Sequence, residues 1–332
     1  MNILDSIGNT PLLRLTRVVE SPDVEIYVKC EFMNPGGSIK DRMALRMITA
    51  AEESGRLPPG GTIVDQSTGN TGPALAFVGA VKGYPVQLFL PAQLSSAYNP
   101  ADRIRIARLF GCQVTPIDLQ EHLQNVDSLN IVERAAAFVA IRMKQCYDYQ
   151  QSHPSSWWSN QLCNPDNAAA HRDGTGREIL AQMDGRIDAW VASIGTGGTL
   201  LGVAETLRKT NPGLIVAGVL PTDDPRIKWV QSRAVHRFLE QFGLPQQRFL
   251  IEDILDEGVM DREIVVDNDD AKRMADRLCS EEGLFCGMSS GANVVAAIEM
   301  ARNMPKGARI VTVLVDRRDR YFAEYPYEHY VV

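Results

Sequence analysis

Short apolar runs rich in β-branched residues alternate along this chain with segments whose apolar positions recur every three or four residues. That is the pattern of βα units feeding a mainly parallel sheet, hence an α/β fold. Thr62 to Asp65 reads as a strand, Pro73 to Lys82 as a helix with proline in its first turn, and Val86 to Leu90 as the next strand. The alternation continues with a helix over Asp102 to Phe110, a strand over Gln113 to Ile117 and a helix over Asn130 to Lys144. The polar, serine-rich stretch Asp148 to Trp158 contains Pro154 and suits a crossing between two lobes. A second series follows, with strands at Ala189 to Ile194, Leu214 to Leu220 and Ile310 to Val315 and a helix over Leu200 to Lys209. Pro225 to Phe242 reads as one helix, and the acidic stretch after it, to Asp261, as irregular.

Composition narrows the function classes. The 332 residues, 45% hydrophobic and 23% charged, suffice for a large core in two lobes. A net charge of -7 without a long basic run opposes a nucleic-acid partner. Cys30, Cys112, Cys146, Cys163, Cys279 and Cys286 form no C-x-x-C pair and read as reduced, mostly buried thiols. His122, His153, His171, His236 and His329 show no ligand spacing, so no metal is expected. The first residues lack a basic start with a continuous apolar stretch, and no later run has membrane length. A cytosolic protein without a membrane partner is the expectation.

Four segments carry candidate chemistry. In Asn34 to Arg42 (NPGGSIKDR), Ser38 reads as a helix N-cap with Asp41 three residues on, which puts Lys40 in the first turn. The helix field and Arg42 would both disfavour an ammonium there, suiting an amine nucleophile; a solvated lysine in a capped helix is the alternative. Ser67, Thr68, Gly69, Asn70, Thr71 and Gly72 lie between a strand and a helix, as a cradle for a carboxylate or as a tight turn. Gly195, Thr196, Gly197, Gly198 and Thr199 repeat that placement as a phosphate loop or a structural turn, with neither a P-loop nor a dinucleotide signature. In Gly287 to Asn293 (GMSSGAN) the serines read as helix caps or as a hydroxyl for a ring nitrogen, and neighbouring Cys286 as a buried thiol.

In this order and spacing the segments resemble the cysteine synthase and cystathionine β-synthase family of fold type II pyridoxal-phosphate enzymes. Ile7 to Leu12 (IGNTPL), Gln161 to Asn167 (QLCNPDN) and Asp319-Arg320-Tyr321 add to the match. The resemblance implies two open twisted, mostly parallel sheet lobes of the tryptophan synthase β-like kind, with pyridoxal 5'-phosphate in the cleft between them. It implies a smaller mobile lobe, 41–153, carrying the Asn70 loop, and a larger lobe, 1–40 plus 154–332, carrying the phosphate loop. Lys40 would carry the cofactor and serve as acid and base at the substrate α-carbon. Asn70 would bond the cofactor's ring hydroxyl, Gly195 to Thr199 its phosphate, and Ser290 its pyridine nitrogen. Ser67, Thr68, Gly69, Thr71 and Gln161 would bind the substrate carboxylate.

The implied reaction is β-replacement on O-acetylserine, O-phosphoserine or a close relative through an α-aminoacrylate, with a small nucleophile as second substrate. A homodimer without regulatory tail or haem extension is expected. The chain departs from the family in the swapped order Ser67-Thr68, in Pro73, and in Arg248 to Asp261, where a glycine-rich loop for the second substrate has no counterpart. An amine nucleophile, a cystathionine synthase-like activity, serine deamination and a non-catalytic cofactor-binding partner protein are therefore alternatives to sulfide chemistry. Arg317 and Arg318 read as two solvated charges beside the Asp319-Arg320-Tyr321 signature.

Overall fold

The computed structural model describes residues 1–19, 23–91, 100–118, 128–222, 226–231 and 233–323. Its strands are β1 (Leu12–Arg14), β2 (Glu25–Cys30), β3 (Thr62–Asp65), β4 (Val86–Pro91), β5 (Gln113–Ile117), β6 (Ser156–Trp158), β7 (Ala189–Ser193), β8 (Ile215–Pro221), β9 (Arg262–Val266) and β10 (Arg309–Leu314). The helices are α1 (Lys40–Glu53), α2 (Thr71–Lys82), α3 (Ala101–Leu109), α4 (Ile131–Ser152), α5 (Pro165–Ala170), α6 (Gly176–Gln182), α7 (Gly198–Thr210), α8 (Arg226–Gln231), α9 (Ala234–Gln241), α10 (Leu250–Asp256), α11 (Asn268–Glu282) and α12 (Met288–Ala301). None is long and apolar enough to cross a membrane, among the described residues.

The chain divides into two compact units. Met1–Arg46, Pro165–Asp223 and Asp253–Arg320 form the first, around a sheet ordered β1-β2-β10-β7-β8-β9 in which β1 alone runs antiparallel. Met47–Asn164, Asp224–Glu252 and Tyr321–Val332 form the second, around the all-parallel sheet β5-β4-β3-β6. These divisions differ from the lobes 41–153 and 1–40 plus 154–332. The reason lies in two segments. Asp148 to Ser152 continues α4 as its last turn, which stops at His153 before Pro154, and Ser156 to Trp158 pairs with β3 instead of crossing between lobes. Polar side chains around the exposed last turn of a helix had the look of a loop.

The other segment is Asp224–Glu252. Helices α8 and α9 pack on α4, and the Leu250 N–H reaches the Leu162 carbonyl at 2.9 Å, which ties this stretch to the second unit. The expected single helix is broken at Arg233, which takes the left-handed conformation at φ 56°; Pro225 and Ser232 lie outside the described residues. The stretch expected to be irregular contains α10, whose Leu250, Ile251 and Ile254 are buried.

The core of the first unit explains its continuous apolar strands. Val28, Val191, Val219, Ile310 and Leu314 of the sheet bury against Ala271, Leu278, Val294 and Ala297 of α11 and α12. Small residues let these two helices approach closely. At Gly291 an added Cβ would strike the Ala271 carbonyl and stand 2.8 Å from the Ala275 nitrogen, both backbone atoms that do not swing aside. Gly291→Ala is therefore expected to destabilise the protein by about 3 kcal/mol, where the same change in an open helix adds up to about 1 kcal/mol. Denaturant unfolding checks it, and an unchanged or raised midpoint would refute the close crossing.

Candidate active site

Two candidate segments of the first unit leave the carboxyl ends of parallel strands, and the third, Gly287–Asn293, is bonded to the chain that leaves the strand between them. The Asn34–Lys40 stretch follows β2, Val315 and Asp316 follow β10, and Gly195–Thr199 follow β7. Backbone bonds join two of them. The Ile39 N–H donates to the Val315 carbonyl at 2.9 Å, Ser38 bridges Asp316, and the Val315 N–H donates to the Ser290 hydroxyl at 2.8 Å. Val315 is thus held between the turn that carries Lys40 and the first turn of α12. Crevices at this end of an open parallel sheet are where such folds bind ligands.

Lys40 is the first residue of α1 and half-buried. Its N–H reaches the Ser38 hydroxyl at 3.3 Å, so the expected cap is present in form, while the Asp41 carboxylate accepts from the Gly36 N–H at 2.6 Å. Asp41 is buried, and burial pushes its carboxyl up to about 7 against the opposing charge of Arg320. A Cβ on Gly36 would fall 2.7 Å from one Asp41 oxygen, and Gly37 holds φ 86°, so this turn requires both glycines.

Arg42 does not act on Lys40 as an unbalanced charge. Its guanidinium binds Glu31 at 2.7 and 2.8 Å and Glu178 at 2.6 and 2.7 Å. Burial works to raise the Glu178 carboxyl, but Arg42 first and then Lys29, 2.7 Å away, hold it at about 2. Thr10 donates to Glu31 at 2.7 Å, closing a buried polar network beneath the first turn of α1.

At the glycine-rich loop, Gly197 takes φ 92° and α7 begins at Gly198. Asn167 donates to the Thr196 hydroxyl at 2.8 Å, and a Cβ on Gly198 would meet the Asn167 side chain, 2.6 Å from its Cγ. Behind the loop His171 is fully buried, with Nδ1 3.0 Å from the Thr175 hydroxyl and Nε2 3.3 Å from that of Thr199. Burial, then the charges of Lys40 and Arg42, depress it well below the usual histidine range, so it stands neutral beside Thr199. Nothing in its spacing marked it in the sequence.

Ser290 is buried in α12 as a bond acceptor for Val315, and Gly287 caps that helix without a side-chain bond, so the serines are not the caps expected of them. Cys286 is buried, and burial pushes its thiol up to about 12. Arg318 corrects the expectation of a solvated charge: its side chain is 6% exposed and paired with Asp276 of α11, whereas Arg317 is exposed beside Asp319. Its position on the chain turn after β10 points it inward over α11.

The second unit carries the remaining candidates. Asn70 immediately precedes α2, which begins at Thr71, and Ser67 and Thr71 are buried while Thr68, Gly69 and Asn70 are partly exposed. The Thr71 hydroxyl donates to the Gln161 side-chain oxygen, so the structure brings these two expected carboxylate ligands together. Buried Arg103 of α3 donates to the Thr68 carbonyl at 3.2 Å and lies 4.7 Å over the Tyr321 ring. Asp65, at the end of β3, is fully buried beside Ser159 and Gln161. His122 and His329 lie outside the described residues.

Comparison with known proteins is consistent across the chain. The family profile described as pyridoxal-phosphate dependent enzyme matches residues 3–316. A cystathionine beta-synthase of Dictyostelium discoideum is 34% identical over 338 residues, covering 100% of this chain and 62% of that protein, so the chain spans under two thirds of its length. A cysteine synthase of Staphylococcus aureus is 35% identical over 323 residues, 97% of this chain and 95% of that one. Among solved structures, the crystal structure of O-ureido-L-serine synthase superposes with a TM-score of 0.80 at 31% identity, covering 99% of this chain and 95% of the other.

Proposed function

This chain belongs to the pyridoxal-phosphate dependent enzyme family, and on that premise we propose that it replaces the β-substituent of a serine-derived amino acid, of the O-acetylserine or O-phosphoserine type, by a small nucleophile. It is a pyridoxal 5'-phosphate enzyme of the cysteine synthase and cystathionine β-synthase kind. When bound, that cofactor supplies the electron sink that lets the α-proton and then the β-substituent leave.

The donor set of the first unit fits such a group. An amine opens α1, a loop without side chains at three of five positions opens α7, and a neutral hydroxyl lies buried at Ser290. Lys40 holds the cofactor and moves the proton at the substrate α-carbon. Gly195, Thr196, Gly197, Gly198 and Thr199 hold its phosphate through N–H groups and the Thr199 hydroxyl, with neutral His171 fixing that hydroxyl from behind. Ser290 serves the ring nitrogen as a neutral partner, which favours β-elimination over transamination. In the second unit Asn70 serves the ring hydroxyl, and Ser67, Thr68, Gly69, Thr71 and Gln161 bind the substrate carboxylate. The observation that carries this reading is the placement of Lys40 and the glycine-rich loop after β2 and β7, with Ser290 bonded to the chain that leaves β10 between them.

A second reading keeps the leaving group and changes the nucleophile to an amine or a larger thiol. It is favoured by the stretch Arg248 to Asp261, which contains helix α10 in place of the glycine-rich second-substrate loop that the family resemblance implies. A twofold dimer in the cytoplasm completes the proposal. The test is product analysis of the holoenzyme given O-acetylserine or O-phosphoserine with sulfide, homocysteine or ammonia in turn. Acetate or phosphate released together with one new β-substituted amino acid is the expected result. Release of pyruvate and ammonia alongside the acetate or phosphate, with no new amino acid from any nucleophile, would replace β-replacement by simple elimination.

A further inference from the structure

We propose that Asp65 is a positioning residue for substrate binding: its buried carboxylate ties the Ser67–Thr71 turn to the Ser159–Gln161 segment, so that the two form one cradle for the substrate carboxylate. The inference rests on the assignment of those two segments to that anion.

The register of the second sheet puts the parts in place. Val64 of β3 pairs with Trp158 of β6, and the Ser159 N–H continues the ladder to the Val64 carbonyl at 2.9 Å. Ser159 is thereby delivered beside Asp65, and its hydroxyl donates to Asp65 Oδ2. The Gln161 N–H donates to the same oxygen at 3.4 Å, and the Gln66 N–H donates to Oδ1. From there the network returns to the turn, because the Thr71 hydroxyl donates to the Gln161 side-chain oxygen. One carboxylate therefore organises both segments across ninety or more residues of sequence, and it does so from a position with no exposed surface.

Two of the three groups aimed at Asp65 are backbone N–H donors, whose bonds an ionised carboxylate accepts more strongly than the neutral acid, and the Ser159 hydroxyl donates to the ionised form. The charged and titratable groups facing it are Arg142, which favours the carboxylate, and Cys146, a buried thiol that Asp65 itself pushes further up; both stand on α4. From β4 the paired residue is Leu88, which carries no charge. Burial raises Asp65 to about 6, against the bonds from Ser159, Gln66 and Gln161 and the charge of Arg142. Because binding calls for the ionised form, affinity for the amino-acid substrate falls as pH drops through that value and is full above it.

The test uses the holoenzyme. Wild type is expected to show KM for the amino-acid substrate rising below pH about 6, with the same limb in equilibrium binding of L-alanine, which has the carboxylate and no β-leaving group. Asp65→Asn is expected to raise KM roughly ten- to hundredfold with a much smaller change in kcat, and to erase that limb. Asp65→Glu, which keeps the charge, restores part of the affinity. Ser159→Ala removes a donor that favours the carboxylate, so its limb moves to higher pH; this arm stands should Asp65→Asn not fold. If Gln161→Ala raises KM while Asp65→Asn and Ser159→Ala bind with the wild-type KM and pH profile, the positioning role is overturned and the carboxylate assignment stands. If Gln161→Ala and Thr71→Val also bind as wild type, the carboxylate assignment itself fails and the role of Asp65 with it.

Discussion

Lys40→Ala is expected to lower turnover by about 10³-fold or more, since on the proposed assignment it removes both the covalent anchor and the group that moves the α-proton. The protein should remain folded, because Lys40 is half-buried at the very start of α1 and the bonds that fix the turn run through Ser38, Ile39 and Asp41. The visible band of the lysine-bound cofactor should vanish while cofactor is still taken up through the glycine-rich loop, now removable by dialysis. A second consequence is specific to this site. In the cofactor-free protein, where Lys40 is a free ammonium, its charge adds to burial in depressing His171, so the variant's His171 should titrate at higher pH than the wild type's, a change that histidine NMR reads directly. Lys209→Ala, an exposed lysine at the end of α7, is the control and should behave as wild type. Wild-type turnover in Lys40→Ala would remove Lys40 from the chemistry and return it to a solvated helix start.

What the sequence made legible follows from how each element is buried. Strands β7, β8 and β10 are buried on both faces and read as uninterrupted apolar runs, so their positions emerged to within a residue or two. Helix α2 was equally plain, since Pro73 and the small residues around it mark its first turn. The end of α4 and all of β6 were not legible. Asp148 to Ser152 are polar because the last turn of this long helix is exposed or only partly buried, and Ser156 to Trp158 is too short to show a pattern, being buried at all three positions. The candidate site divides the same way. Residues that stand together in a motif, such as Gly195 to Thr199, were visible as local glycine and hydroxyl chemistry. Residues that act through distant contacts were not: Glu178 reaches Arg42 across 136 positions, and Asp65 reaches Ser159 across 94. Burial of His171 is likewise a tertiary property, and its neighbours in sequence carry no sign of Thr199 or Lys40.

Arg42→Met is expected to cost about 3–5 kcal/mol of stability, the range for removing one partner of a buried ion pair. Arg42 is 7% exposed and Glu31 is fully buried, so the loss is chiefly that of leaving carboxylates in a dry site, with methionine nearly conserving the packed volume. The pH dependence gives the argument its sign. In the wild type Glu178 is held at about 2, below its ordinary 4.5, so it contributes stability above pH 4.5 that is lost as pH falls through 2. That contribution is about 3 kcal/mol by the size of the shift, consistent with the cost of losing Arg42, its largest stabilising cause. In Arg42→Met the contribution shrinks, so the gap between wild type and variant should be widest near neutral pH and close in acid. Denaturant unfolding at several pH values measures this. Glu31→Gln placed on top of Arg42→Met should recover part of the loss, because it removes the carboxylate left buried without its cation. A pH-independent gap, or a double variant less stable than the single, would mean that Arg42 acts through its packing and not through its charge.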